Sequence, residues 1–208
     1  MLKLLEKAEK YIDIKSPWFW FAFIHIIWNV LYWNVTSRLE YFFGFFSKFW
    51  KNKKTAVIIH GTIIFINCVS RSFIYKYVVE QGPKLMSLFQ YDWITIFGYL
   101  LYSFGILLVV SSTYQLGVIG TYNGDAYGFL LPGIIKDFPF NYFNAPMYLG
   151  STINFFAHAI IYRSLNGFLL SILVAIVYFI GTHFEDNLTK KIYSPENPNY
   201  LKLKSKTK

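Results

Sequence analysis

The sequence predicts an all-α fold, a polytopic membrane helical bundle of about five apolar helices, and three observations carry that expectation. Hydrophobic residues make up 55% and aromatic residues 22% of the 208, with positive mean hydropathy. Stretches free of Asp, Glu, Lys and Arg cover 16–37, 55–70, 93–124, 138–162 and 164–184, and most reach the roughly 20 residues that a bilayer-spanning helix needs. The charges gather in short segments between these runs and leave little sequence for a soluble module. Residues 1–208 therefore read as a single membrane-embedded domain.

Residues 1–15 alternate Lys with Glu and Asp and place Leu5, Ala8 and Ile12 at helical spacing, the pattern of a short interfacial helix lying on the membrane surface. Pro17 opens the first span, which runs to about Val35, with Trp18, Trp20, Trp28 and Trp33 read as interfacial aromatics. Its apolar core is too long and too aromatic for a cleavable signal, so it is retained. The second span covers about 55–75, and Gly82-Pro83 marks the turn after it. The third run, 93–120, would rise about 42 Å as a straight helix, more than a hydrocarbon core of about 30 Å. Gly117, Gly120, Gly124, Gly128 and Gly133 follow at short intervals and predict irregular backbone approaching a ligand.

From Pro146 to Phe184 the chain has nearly 60 Å of potential helix, about twice the hydrocarbon thickness. Arg163-Ser164-Leu165-Asn166-Gly167 interrupts it at the midpoint. A single crossing would hold Arg163 near the bilayer centre at a cost of about 2.5 kcal/mol or more. A hairpin instead places it at the far interface, where it snorkels, and brings Tyr148 and Glu185 to one membrane face.

Between Thr36 and Lys54 the charge balance is +4, from Lys76 to Asp92 it is zero, and the 185–208 tail carries +3. The positive-inside rule then makes the first connection and the C-terminus cytosolic. Five crossings put the N-terminus on the other side; a first segment that only dips would return it to the cytosol. The overall charge of +9 forms no basic groove, which argues against a nucleic acid partner. Cys68 is the sole cysteine, and His25, His60, His158 and His183 lack metal spacing, so no metal is expected.

Several separate segments in one order resemble the phosphatidylethanolamine N-methyltransferase family, within the wider membrane group that includes isoprenylcysteine carboxyl methyltransferases. They are Trp28-Asn29-Val30-Leu31-Tyr32-Trp33-Asn34-Val35 with Arg38 and Glu40, then Leu116-Gly117, Gly120-Thr121 and Gly124-Asp125. Phe138-Pro139-Phe140-Asn141, Pro146-Met147-Tyr148-Leu149-Gly150-Ser151-Thr152, Glu185-Asp186 and Tyr193 complete the series. The resemblance implies S-adenosyl-L-methionine as methyl donor, bound through a Gly-x-Gly element that here reads Ser103-Phe104-Gly105 and through the acidic pair Glu185-Asp186. Ser103 and Asp186 depart from the family's glycine and glutamate. The broader group's pattern before a terminal hairpin maps onto Pro146, Tyr148 and Gly150, so that the hairpin encloses the cofactor pocket. Asn144-Ala145 stands where the carboxyl methyltransferases carry Arg-His, which favours the phospholipid branch.

The implied activity is methylation of phosphatidylethanolamine and its mono- and dimethyl forms toward phosphatidylcholine. Only a deprotonated amine is nucleophilic, and Glu185 or Asp186 suits proton acceptance. The same carboxylates suit the cofactor's ribose or cationic end, the role favoured here. Tyr148, Phe138 and Phe140 offer aromatic faces to a sulfonium or ammonium, and His183, beside the acidic pair, is the one histidine suited to carry a proton. Arg38 is the first candidate for the lipid phosphate, before Lys190 and Lys191, and Asn141 joins it as a substrate contact. Ser151 and Asn154 line a pocket or cap a helix. Lys204-Ser205-Lys206-Thr207-Lys208 is similar to an endoplasmic reticulum retrieval signal, which points to that membrane, with the mitochondrial membrane as the other candidate. The oligomeric state is not encoded in any of these features. Competing readings are isoprenylcysteine carboxyl methylation, with a base-labile product, and a non-enzymatic transporter or scaffold with no saturable cofactor binding.

Overall fold

The computed structural model describes residues 11–85, 92–133 and 135–206. Among them the regular structure is helical: α1 (Pro17–Phe43), α2 (Phe45–Trp50), α3 (Lys53–Gln81), α4 (Asp92–Thr121), a 3-10 turn (Gly124–Tyr127), α5 (Pro146–Ile161), α6 (Leu165–Ile192) and α7 (Pro198–Lys206). Of the interfacial helix expected over 1–15, residues 1–10 lie outside the described residues and 11–15 form turns rather than helix.

α3, α6 and the segment Asp92–Tyr127 are long and apolar enough to cross a membrane. α1 has the length, 27 residues, but carries His25, Asn29 and Asn34. α5 has only 16 residues, about 24 Å of rise. Both still run with the bundle. α1 begins at the end where Asp13 N–H donates to Asn166 Oδ1 at 3.1 Å and finishes where Arg38 meets Phe184. The five long helices thus alternate in direction, with the α5–α6 turn at one end, the hairpin end, and Glu185 near the other, the carboxylate end.

The hairpin forms for the reasons its sequence suggests. Ser164 caps α6 by accepting Gly167 N–H at 3.2 Å. Arg163 adopts φ 52°, and its guanidinium donates to Thr95 Oγ1 at 3.2 Å, away from the bundle centre. Gly167 lets α6 approach closely, since a Cβ there would lie 2.8 Å from Val79 Cγ2 and 3.0 Å from Ala159 Cβ. At the carboxylate end α1 stops at Gly44, φ 62°, whose N–H returns to Glu40 O at 2.7 Å. The Glu40 carboxylate is buried and caps α2, accepting from Phe46 N–H at 2.9 Å and Ser47 N–H at 3.0 Å and from the Ser47 hydroxyl.

The main core joins α1, α3, α5 and α6 through Phe19, Ile26, Val30, Trp33, Ile64, Tyr75, Val79, Phe155, Leu170, Val174 and Tyr178. α4 packs chiefly on α5 and barely touches α3. α6 continues past Glu185 to Ile192, so the acidic pair belongs to the helix and the tail starts later than expected.

Candidate functional site

Two cavities meet near the carboxylate end. The larger, about 510 Å³, lies between α3 on one side and α4 and α5 on the other, within the range of small-molecule sites. Phe65, Phe73 and Ile106 both line it and are exposed, so it opens sideways between α3 and α4. The smaller is a polar recess of about 20 Å³ bordered by Asn34, Arg38, Asn123, Asp125, Glu185 and Thr189. Trp33 and Asn123 line both.

Tyr148 and Glu185 connect the two. Pro146 at the first helical position fixes the entry of α5, which presents Tyr148 two residues later to α6. The Tyr148 hydroxyl donates to Glu185 Oε2. Tyr148 lines the large cavity and Glu185 the polar recess. Trp33 stacks on Tyr148 at 5.9 Å between centroids, and Tyr178 meets Tyr148 edge-on at 5.0 Å. Such an aromatic cluster with a carboxylate at its edge favours a cation.

The irregular segment after α4 closes this end. Helical geometry breaks at Gly117, φ 65°. Gly124 takes the chain back over Ile119, where a Cβ would lie 2.6 Å from Ile119 O. Asn123 then donates to Ser37 Oγ at 2.6 Å, and Asp125 accepts Ala126 N–H at 2.8 Å beside the recess. Asp125, Asp186 and Arg38 all act electrostatically on Glu185. Tyr193 Oη accepts Leu131 N–H at 3.1 Å and ties the following loop to α6.

The other expected residues divide into two groups. Arg38 borders the recess, yet both its terminal nitrogens are committed: Nη1 to Asn34 O at 2.8 Å and Asn34 Oδ1 at 3.1 Å, Nη2 to Phe184 O at 2.5 Å. Ser151 lines the large cavity, its hydroxyl 3.2 Å from Tyr178 Oη, and Asn154 lines it too. The structure does not bring Ser103 and Phe104 to Tyr148: both are exposed, and Ser103 Oγ donates to Tyr99 O in its own helix at 2.9 Å. Gly105 and Gly150 face each other where α4 crosses α5, a Cβ on either lying 2.6 Å from the other's carbonyl oxygen. Asp186, Asn141 and His183 are exposed, and Phe138 meets Gln115 through its carbonyl. Lys191 lies over the Phe42 ring at 5.6 Å.

Sequence reasoning missed four residues. Trp33, read as interfacial, is only 6% exposed and forms the wall between the cavities, whereas Trp18, Trp20 and Trp28 are about half exposed. Tyr178 carried no sequence signal. Asn123 and Asp125 sat within or beside the quoted glycine motifs. No group of His, Cys, Asp and Glu suited to a metal exists among the described residues.

Comparisons with known proteins give the family. The phospholipid methyltransferase family model matches residues 93–196. Phosphatidylethanolamine N-methyltransferase A of Dictyostelium discoideum is 34% identical over 205 residues, 98% of this chain and 96% of that protein. Phosphatidyl-N-methylethanolamine N-methyltransferase of Schizosaccharomyces pombe is 37% identical over 86% of this chain and 91% of its own length. Phosphatidylethanolamine N-methyltransferase of Rattus norvegicus is 35% identical over 88% and 92%. No solved structure matches the chain. The match of helices α4 to α6 to the family, with relatives alike along nearly the whole length, shows that this chain belongs to the phospholipid methyltransferase family.

Proposed function

We propose that this chain is an enzyme that methylates the amine of phosphatidylethanolamine, or of its mono- and dimethyl forms, toward phosphatidylcholine, with S-adenosyl-L-methionine as donor. The observation that carries the reading is the Tyr148–Glu185 hydrogen bond, set between a cavity open to lipid and a polar recess at the carboxylate end. The names of the relatives, which act on phosphatidylethanolamine and phosphatidyl-N-methylethanolamine, support the substrate class.

The residues present fit a sulfonium donor. Trp33, Tyr148 and Tyr178 offer aromatic faces to a cation, and Glu185 and Asp125 supply negative charge within the same end of the bundle. When bound, S-adenosylmethionine supplies an electrophilic methyl group. Tyr148 holds the Glu185 carboxylate in place, and Glu185 accepts the proton of the lipid ammonium directly or through water, leaving the neutral nucleophile. The three rings exclude water and align the amine, so positioning provides most of the rate. Arg38 clamps α1 to α6 one residue before Glu185 and keeps the carboxylate in register.

For a protein of the endoplasmic reticulum membrane, the location expected from the sequence, the cationic segments support a cytosolic C-terminus. Lys48, Lys51, Lys53, Lys54, Lys190 and Lys191 belong to segments at the carboxylate end, the end a positive-inside arrangement turns to the cytosol. The donor would reach the site from that side and the lipid from the bilayer.

The test supplies membranes containing the protein with methyl-labelled S-adenosylmethionine and monomethylated phosphatidylethanolamine. Label recovered in the dimethylethanolamine or choline headgroup after base treatment supports the reading. Label released as volatile methanol marks a carboxyl methyl ester, and absence of label with folded protein defeats methyl transfer altogether.

A further inference from the structure

One strong feature is unused by that reading. Arg71 lies within α3, 18 residues after Lys53 and 10 before Gln81, and is 4% exposed. A charged side chain inside a membrane helix is costly and marks a function by default. Its Nη1 donates to Asn29 Oδ1 at 3.1 Å and to Tyr178 Oη at 2.5 Å, and its guanidinium lies 5.0 Å from the Phe155 ring centroid and 5.3 Å from that of Tyr178. Its hydrogen-bond partners are neutral, His25, Cys68 and Tyr148 are the other polar groups close enough to feel its charge, and no carboxylate is paired with it among the described residues. Its buried Nε has no hydrogen-bond partner among the described residues. Arg71 is thus a desolvated cation with neutral neighbours and a donor to spare, and a buried charge without a counter-charge is strongly destabilising.

Arg71 borders the 510 Å³ cavity. The α5 face across from α3 adds Tyr148, Ser151, Asn154 and His158 at helical spacing, and Asn154 Oδ1 is also buried without a partner among the described residues. The rest of the wall is mostly apolar and opens sideways between α3 and α4. A soluble anion would have to leave water for hydrocarbon to reach Arg71; an anion carried on acyl chains arrives through the opening. Tyr178, bonded to Arg71, precedes Glu185 by seven residues of α6, about 10 Å of helix. The two groups thus stand about two helical turns apart, a spacing that lets one lipid headgroup meet both, phosphate at one and amine at the other.

We infer that Arg71 anchors the phosphodiester of a membrane lipid in this cavity, with the acyl chains leaving between α3 and α4 and the headgroup amine directed to Tyr148 and Glu185. The amine's destination rests on the methyl-transfer reading; the phosphodiester site does not. Arg71 replaces Arg38 as the phosphate ligand because Arg38 already uses both terminal nitrogens on α1 and α6. The planar guanidinium suits bidentate capture of two phosphate oxygens.

The experiment compares two amine lipids, monomethylated phosphatidylethanolamine and a diacylglycerol ether of the same N-methylaminoethyl group that lacks the phosphate. Unaltered protein should prefer the phosphate-bearing lipid at least tenfold in kcat/KM. Arg71→Met should bring that preference within twofold and leave the Kd for S-adenosylmethionine unchanged, and Arg71→Lys should restore part of it. A variant that slows both lipids alike, or that weakens the cofactor instead, overturns the assignment. In parallel, phospholipid retained by detergent-washed, monodisperse protein is counted by mass spectrometry, with Arg71→Gln as second variant should Arg71→Met misfold. Retention should fall at least fivefold in the neutral variants and persist in Arg71→Lys; equal retention overturns the site. Should the unaltered protein label neither lipid, the methyl-transfer reading falls, and the retention arm alone decides for or against Arg71.

Discussion

Replacing Gly105 with alanine tests whether this glycine serves the crossing of α4 and α5. The new methyl would lie 2.6 Å from Gly150 O and closer still to Asn154 Oδ1. The first obstacle is backbone and cannot rotate away. To reach the 3.4 Å at which such contacts become ordinary, α4 and α5 must part by about 1 Å, and overpacking of this kind costs about 1–3 kcal/mol. Gly150 lies two residues after Tyr148, so the displacement passes directly to the hydroxyl that holds Glu185. A misplacement of about 1 Å costs about 10²-fold in rate. Gly105→Ala should therefore lower kcat for label transfer by about 10²-fold and reduce thermal stability in detergent, measured by tryptophan fluorescence. Ser103→Gly, on the outward face of the same turn, should change donor affinity by less than about twofold, well under the tenfold that 1.4 kcal/mol represents. Wild-type activity and melting in Gly105→Ala would refute the crossing argument. An altered donor Kd in Ser103→Gly would restore that element as a ligand contact.

Three further outcomes follow from the site. Glu185→Gln keeps an acceptor for Tyr148 but removes the charge and the proton acceptor; turnover should drop at least about tenfold and up to about 10⁴-fold, with membrane insertion unchanged by protease protection. Glu40→Ala leaves the first N–H groups of α2 without their carboxylate, so the melting midpoint should fall by an amount equivalent to about 1–3 kcal/mol, while turnover per folded molecule stays within about threefold, under 1 kcal/mol. His183→Ala should leave kcat and its pH profile unchanged, since the ring is exposed and packs on Phe184 at 6.3 Å; a displaced profile would make His183 a proton carrier.

The helical hairpin and the meeting of Tyr148 with Glu185 were legible because one polar interruption, Arg163 to Gly167, halves a run too long for one crossing. What stayed hidden depends on which side of an apolar helix faces protein. Trp33 and Trp28 read alike in the sequence, yet α3, α5 and α6 bury one while the other is 52% exposed. Arg71 sits just past the uncharged 55–70 run, and its place shows only where Asn29 and Tyr178 enclose it. The Ser103-Phe104-Gly105 element is ambiguous in the sequence, since small residues suit a ligand and a close helix contact equally, and the position of Gly150 shows the contact that Gly105 makes. Likewise nothing local announces that Glu40 will turn back to cap the helix that follows it.

Under the proposed function, the side entrance bordered by Phe65, Phe73 and Ile106 changes what concentration means for the substrate. A lipid arriving by that door never dissolves in water, so the rate answers to its mole fraction among neighbouring lipids. Diluting vesicles at constant composition would leave turnover unaltered, whereas diluting the substrate with inert lipid would slow it. Supply is thereby metered by the membrane's own makeup.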